Sequence, residues 1–330
     1  MDRRVTLADV AAAAGVSAGT ASRVLARRGD FSAETRRAVL EAAGRLGYDR
    51  STTLRGRRPH ADPRLIELVI GGVGHPWADQ VIVGAHERAF ELGYDIVLTP
   101  ERDDPADDWP ARIAERRSSG VVLAIVTPTQ RQLELLSGFS VPTVLLDPRS
   151  ETDAALPSVG ATNREGGFAA GRHLAGRGYE HFVYATWRLP YRFGRARERG
   201  FRDALAEDRP DAPVDTVSAE WVDGPARAGI DRLLEISAVR RLGVFAVNDD
   251  VAAAIAGALR AAGRRVPEDV GVIGFDDNPR YRSAGLSTVR QPLREMAARA
   301  VDLIDGLRRG EPVLDRHVEL PTALIARRTT

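Results

Sequence analysis

Apolar positions follow two rhythms along this chain. Over the first 50 residues they recur at helical spacing, and from residue 65 they come as short unbroken runs separated by helical stretches. In the first part, Thr6 is placed to cap a helix that starts at Leu7 and runs through the alanines to Ala14, with Asp9 at the positive end of its dipole. Gly15 permits the positive φ of a tight exit, and Ser17 caps a second helix over roughly 18–26. A turn of three or four residues forces the two helices to cross steeply. Val10, Ala11, Val16, Ala21, Val24 and Leu25 pack this pair, which leaves Thr20, Ser22, Arg23 and Arg27 on the outer face. Gly29 and Asp30 break the chain. Ser32 then caps a third helix with Glu34 in its first turn, an apolar stripe of Val39, Leu40, Ala43 and Leu46, and an end at Gly47.

The second rhythm is that of a parallel sheet. Apolar runs at 65–70, 95–99, 121–126 and 141–147 alternate with helical patterns near 78–92, 108–118 and 129–137. A second series begins near residue 166, with strands at 181–186, 214–219, 243–248 and 270–275 and helices near 166–177, 195–207, 226–236 and 250–262. Two α/β lobes in tandem form a cleft, and ligands of such sheets sit at the carboxyl ends of the strands. Residues 50–64, RSTTLRGRRPHADPR, carry little core material and read as a linker.

Composition narrows the function. The 330 residues are 43% hydrophobic and 28% charged, in the range of a globular protein of two or three domains. No apolar run reaches 18 residues and the N-terminus lacks an apolar signal core, so a cytoplasmic protein without membrane contact is expected. The absence of cysteine excludes disulfides and thiolate metal sites. The net charge of +1 conceals an asymmetry: residues 1–60 carry 12 arginines against 6 acids, and the remainder carries 35 against 40. A basic small segment on a mildly acidic body suits a polyanionic partner. Three short helices with a basic outer face can seat the second helix in a DNA major groove. Ala18 and Gly19 at its N-terminal end, with Ser22 and Arg23, would then lie nearest the bases, and Arg36 and Arg37 near phosphates.

The run VTLADVAAAAGVSAGTASRVLARRGDFSAETRRAVLEAAGRLGY resembles the DNA-binding headpiece of the lactose-repressor (LacI) family, most specifically in GVS-x-x-T-x-SRVL. The resemblance continues through SVGATNREGGFAAGRHLAGRGY, RARERGFRDAL, VFAVNDDVAAAIAGALRAAG, VPEDVGVIGFDD, LSTVRQPLREMAARAVDLI and VELPTALIARRT, so it covers nearly the whole chain. It implies a three-helix helix-turn-helix domain at 1–49, a hinge at 50–64, and a periplasmic-binding-protein-like core of two parallel-sheet lobes at 65–330. The first lobe would take about 65–160 and 290–318, the second about 161–289 and 319–330. It implies DNA contacts from Thr6, Ser17, Ala18, Gly19, Thr20, Ser22, Arg23, Arg27 and Arg36. In the family the hinge folds on DNA and drives a leucine into the minor groove. Leu54 is the one large apolar residue available for that, although it arrives about three residues early and an extended arginine run follows it.

The branch with SVGATN looks like sugar-responsive repressors. A sugar needs planar hydrogen-bonding groups and an aromatic face, and the strand-end loops supply His75, Trp77, Asp79, Asp147, Arg197, Trp221, Asn248 and Asp276. Five of these match family positions: Asp147, Arg197 four residues before Phe201, Trp221, Asn248 in its Asn-Asp pair, and Asp276 in GFDD. Each has an ordinary structural alternative, with Asp276 and Asn248 as caps and Arg197 in a surface ion pair. The loop at 74–77 departs from the common Asn-Pro-aromatic-aromatic form, and Trp187 and Tyr191 are secondary candidates.

Other chemistries find no support. Gly15–Gly19 matches G-x-S-x-G, but a helix precedes it and Ser17 already serves as a cap. GGVGHPW lacks the third glycine of a dinucleotide loop, and a chain without lysine cannot form a phosphate-binding G-x-x-x-x-G-K-[ST]. The six histidines have no ligand spacing, so no metal and no cofactor are expected. The expectation is a non-enzymatic repressor, a homodimer (or tetramer) on a pseudo-palindromic double-stranded operator, controlled by a mono- or oligosaccharide in the interlobe cleft. The alternative is a cytoplasmic sugar-binding protein whose DNA-binding segment is vestigial.

Overall fold

The computed structural model describes residues 5–25, 31–46, 48, 63–102, 109–150, 156–187, 191–219 and 227–330. The chain divides into two compact units, Met1–Asp62 and Pro63–Thr330.

The first unit has helices α1 (Leu7–Ala13), α2 (Ala18–Leu25) and α3 (Ala33–Leu46). Thr6 and Asp9 cap α1 reciprocally: the Asp9 amide donates to Thr6 Oγ1 at 3.3 Å and the Thr6 amide to Asp9 Oδ2 at 2.8 Å. Gly15 has φ +66, as the tight exit requires. Val10, Ala11, Ala21, Val24, Val39, Ala42 and Ala43 form a small core, with Val16, Leu25, Phe31 and Leu46 packed around it. Leu40 is a correction. It is 53% exposed, and Ala42 takes the buried place, because the stripe of α3 turns toward Val39–Ala43 and carries Leu40 away from the other two helices.

The second unit holds two six-stranded sheets. The first has the order β11-β5-β4-β3-β1-β2, built from β1 (Leu65–Ile70), β2 (Asp95–Pro100), β3 (Gly120–Ala124), β4 (Thr143–Leu146), β5 (Ser158–Ala161) and β11 (His317–Leu320). Its helices are α4 (Pro76–Glu91), α5 (Trp109–Arg116) and α6 (Gln130–Gly138). The second sheet has the order β12-β10-β9-β8-β6-β7, from β6 (His181–Trp187), β7 (Val214–Ala219), β8 (Leu242–Ala246), β9 (Val270–Asp276), β10 (Ser287–Arg290) and β12 (Ala323–Ile325). Its helices are α7 (Asn163–Gly176), α8 (Arg192–Asp208), α9 (Arg227–Ser237), α10 (Asp249–Ala261) and the short α11 (Pro279–Arg282). All pairings are parallel except that of β10 with β12. The central strands are buried on both faces, which is why they read as continuous apolar runs.

The chain passes between the lobes three times, after β5, after β10 and after β11. The last passage follows Leu320 rather than residue 318, because β11 pairs with β5 through His317–Leu320. Helix α12 (Leu293–Arg309) returns to the first lobe, where Met296, Ala297, Ala300, Val301 and Ile304 pack into its core. Arg64, expected in the linker, is docked on the core: its Nε donates to the Gly93 carbonyl at 2.6 Å and its guanidinium lies 4.3 Å from the Tyr94 ring centre.

Candidate functional site

Within the second unit, the carboxyl ends of the strands of both lobes open onto one cavity of about 880 Å³. The β1–α4 loop brings His75, Pro76 and Trp77, and the end of β4 brings Asp147 and Arg149. The start of α8 brings Tyr191, Phe193 and Arg197. The β8–α10 loop brings Asn248 and Asp250, and the end of β9 brings Asp276 and Asp277.

Backbone strain collects here. Ile125, Asp147, Asp276 and Asp277 have φ of +50, +49, +116 and +58, a region that side chains other than glycine rarely adopt, and all four line the cavity. Unmet hydrogen-bonding capacity collects here too. Five buried side-chain polar atoms lack a partner among the described residues, and three belong to this lining: Asp147 Oδ2, Arg149 Nε and Gln291 Oε1. A folded protein leaves few such atoms bare, so three around one cavity point to a ligand that completes them.

Arg197 is the centre of the site. It is 2% exposed, and its guanidinium carbon lies over the Phe275 ring, 3.6 Å from the ring centre, and 5.0 Å from that of Phe193. Its Nε donates to Asn163 Oδ1 at 2.8 Å and a terminal nitrogen to the Val247 carbonyl at 2.6 Å. These fixing partners are neutral, so the charge of Arg197 is left to act on Asp147 and Asp276. Burial pushes the Asp147 carboxyl up to about 6 against the pull of Arg197 and Arg192. Burial pushes Asp276 up to about 7; Arg197 and a 2.6 Å hydrogen bond from Gln291 oppose this, and Asp147 and Asp250 add to it. Burial also lowers His75, and its Nδ1 accepts the Ala78 amide at 3.4 Å.

Six of the eight residues expected at the cleft line this cavity: His75, Trp77, Asp147, Arg197, Asn248 and Asp276. Asp79 does not. It stands exposed in the first turn of α4 and faces the helix dipole. Trp221 lies outside the described residues, as does the side chain of Trp187. Trp77 is largely built into the core of the first lobe. From the second lobe, Tyr191 and Phe193 line the cavity, with ring centres 5.5 Å apart. Asn248 is also the cap of α10, accepting the Val251 amide at 2.9 Å. Arg197 is buried rather than at the surface, and it makes no ion pair among the described residues. Sequence reasoning missed Arg149, Phe193, Asp250, Gln291 and the arginines of the rim. Asp250 and Arg149 lie two residues from expected positions and were findable, whereas Gln291 and Arg290 reach the site only because β10 lies beside β9.

The first unit presents a different surface. Ser17 caps α2, its hydroxyl accepting the Thr20 amide at 3.0 Å and meeting Thr20 Oγ1 at 2.9 Å. Ala18, Gly19 and Arg23 are exposed and Ser22 is half-buried, on the face opposite Ala21 and Val24. The Arg23 guanidinium lies 5.3 Å from the Phe31 ring and its Nε reaches the Gly19 carbonyl at 3.4 Å. Thr6 is spent on its capping box, and Arg36 is exposed on α3. Arg27 and Leu54 lie outside the described residues.

Residues 6–51 match the family of bacterial regulatory proteins named lacI, and residues 172–330 match the periplasmic binding protein-like domain. The chain is similar to the ribose operon repressor of Halalkalibacterium halodurans, 29% identical over 329 residues, which is 98% of this chain and 97% of that protein. It is similar to the transcriptional repressor PurR of Haemophilus influenzae, 28% identical over 311 residues, 91% of this chain and 90% of that one. Among solved structures, the transcriptional regulator CelR in complex with cellobiose superposes with a TM-score of 0.72 at 26% identity, over 99% of this chain and 100% of that one. The chain therefore joins a lacI-family helix-turn-helix domain to a periplasmic-binding-protein-like domain, and the relatives and solved structures that align with it from end to end are LacI-family transcriptional regulators.

Proposed function

We propose that this protein is a cytoplasmic transcriptional repressor. Its first unit binds a pseudo-palindromic operator as one half of a homodimer, and its operator affinity is set by a mono- or oligosaccharide in the cleft of its core. The observation that carries the effector half of this reading is the arrangement of Asp147 and Asp276 around Arg197, with a carboxylate oxygen of Asp147 lacking a partner among the described residues. A polyhydroxyl ligand offers O–H donors to the carboxylates and acceptors to the guanidinium, and the aromatic residues Tyr191 and Phe193 line the same cavity. The related CelR, solved with cellobiose, lends support to the sugar class. Because the lining comes from both lobes, a bound effector favours the closed arrangement, and coupling to DNA follows from differential affinity for the two. One small headpiece makes few contacts, so two copies on a palindrome are needed for specific affinity. The reading assigns no catalysis, cofactor or metal.

The test is a gel-retardation titration of the full chain on its own upstream region. Salt-sensitive, sequence-selective retardation that a sugar modulates is expected. Binding that is absent, or equal on random DNA, overturns the reading.

A further inference from the structure

At the outer rim of the same cavity the charges do not balance. Asp277, with a side chain 1% exposed, is surrounded by three guanidiniums: Arg282 at 3.0 Å, Arg290 at 2.9 Å and Arg327 at 2.6 Å. Its Oδ1 accepts Arg282 Nε and an Arg327 terminal nitrogen, and its Oδ2 accepts an Arg282 terminal nitrogen and Arg290 Nε. Two carboxylate oxygens offer about four acceptor positions, so this one is saturated. One negative charge therefore answers three positive ones. Arg327 is mostly buried and also donates to the Leu286 carbonyl at 2.8 Å. Arg282 and Arg290 are each 52% exposed along the side chain, and both line the cavity. Arg290 spends only Nε on Asp277, which leaves both terminal nitrogens, the fork that suits a phosphate or carboxylate, without a described protein partner.

The acids of the cavity do not repair this imbalance. Asp147 and Asp276 lie deep around Arg197, Asp250 accepts the Tyr281 hydroxyl at 2.6 Å, and Glu295 is exposed and makes no ion pair among the described residues. Arg294, also on the rim, is occupied by Gln80 at 2.9 Å and Glu87 at 3.7 Å. The cavity is thus polar and acid-rich at depth and cationic at the rim. We propose that Arg290 and Arg282 form an anion subsite, and that the effector is a sugar carrying a phosphate or carboxylate, its hydroxyls at the depth and its anion at the rim. This inference rests on the reading of the cavity as an effector cleft.

Calorimetric titration of the full chain with matched pairs tests it: ribose and ribose 5-phosphate, glucose and glucose 6-phosphate, glucose and glucuronate. In at least one pair the anionic member is expected to bind about tenfold or more tighter at low salt, with the advantage shrinking as salt rises. The phosphate and glucuronate arms separate the two anion chemistries. R290Q, which leaves Asp277 two guanidiniums, is expected to collapse the anion-to-neutral ratio toward one. The wild-type ratio and its salt dependence decide the matter if that variant folds poorly. Neutral sugars binding as tightly as their anionic partners overturns the anion subsite and leaves the effector cleft standing. A panel in which nothing binds overturns both.

Discussion

Asp147 and Asp276 hold protons at pH values where an ordinary aspartate near 3.8 has lost them, Asp147 to about 6 and Asp276 to about 7. The folded chain thus binds more protons than the unfolded one over that interval. Their contribution to stability is full below about pH 4 and is lost as pH rises through 6 and 7. D276N fixes the uncharged form, so the ligand-free variant should lose less Tm than wild type between pH 5 and 7.5. Each kcal/mol recovered is worth about 1.5–2 °C in a chain of this size. Parallel Tm profiles for the two proteins would show that Asp276 does not titrate in this range. The same raised values explain why a hydroxyl-bearing ligand suits the site: it supplies hydrogen bonds that stabilise the ionised form where water has been excluded.

At the scale of elements, Arg197 is placed by a glycine seam. Helices α7 and α8 approach so closely that a Cβ on Gly167 would lie 2.0 Å from the Arg197 carbonyl oxygen, and one on Gly200 would lie 1.8 Å from that of Arg164. The close approach is what lets Asn163, at the start of α7, hold the Arg197 guanidinium. G200A must push the helices apart, at a cost of about 1–3 kcal/mol for an overpacked core. It should lower Tm by several degrees and weaken effector binding together, because Arg197 moves off Asn163. G176A is the control: it lies at the end of the partner helix α7, away from the seam, with nothing within 4 Å, and should be close to neutral. Circular dichroism melting and titration of both variants check this, and a G200A protein that melts and binds like wild type would refute the seam.

At the scale of the molecule, the two units do different jobs with different physics. The headpiece buries a small core of mostly alanine and valine, so its affinity for DNA must come from charge and from pairing two copies. An operator with one half scrambled should therefore bind far more weakly than the full palindrome, by about 10³-fold if each mismatch costs 1–3 kcal/mol. Equal affinity for the half and whole sites, measured at one salt concentration, would mean that the chain acts as a monomer. The core supplies the ligand dependence, and Arg149 ties its lobes at the cleft. Arg149 is held by Glu101 at 3.2 Å in the first lobe, stacks on Tyr191 at 5.4 Å in the second, and accepts the Arg192 amide on its carbonyl at 2.7 Å.

The sequence by itself determined what depends on neighbours along the chain. The caps at Thr6 and Ser17, the glycine exit at residue 15, and the apolar runs of β1 and β7 were legible, because capping and periodicity act over three or four residues. Helix α12 carries the same helical spacing and was equally open to reading. The strands β5, β10, β11 and β12, of three or four residues each, were not: too short to show a period, they exist because the sheets recruit them. Leu40 went astray for a related reason, since a stripe two residues wide leaves its direction to the partner helices. Asp147, Arg197, Asn248 and Asp276 were named from motif resemblance, and their chemistry was not contained in it. That Arg197 would be fixed by Asn163 and Val247, and that three arginines would share Asp277, was settled only by the tertiary structure. Those partners lie 5 to 50 residues apart in sequence, and strand order, with the crossings between lobes, decides which of them meet.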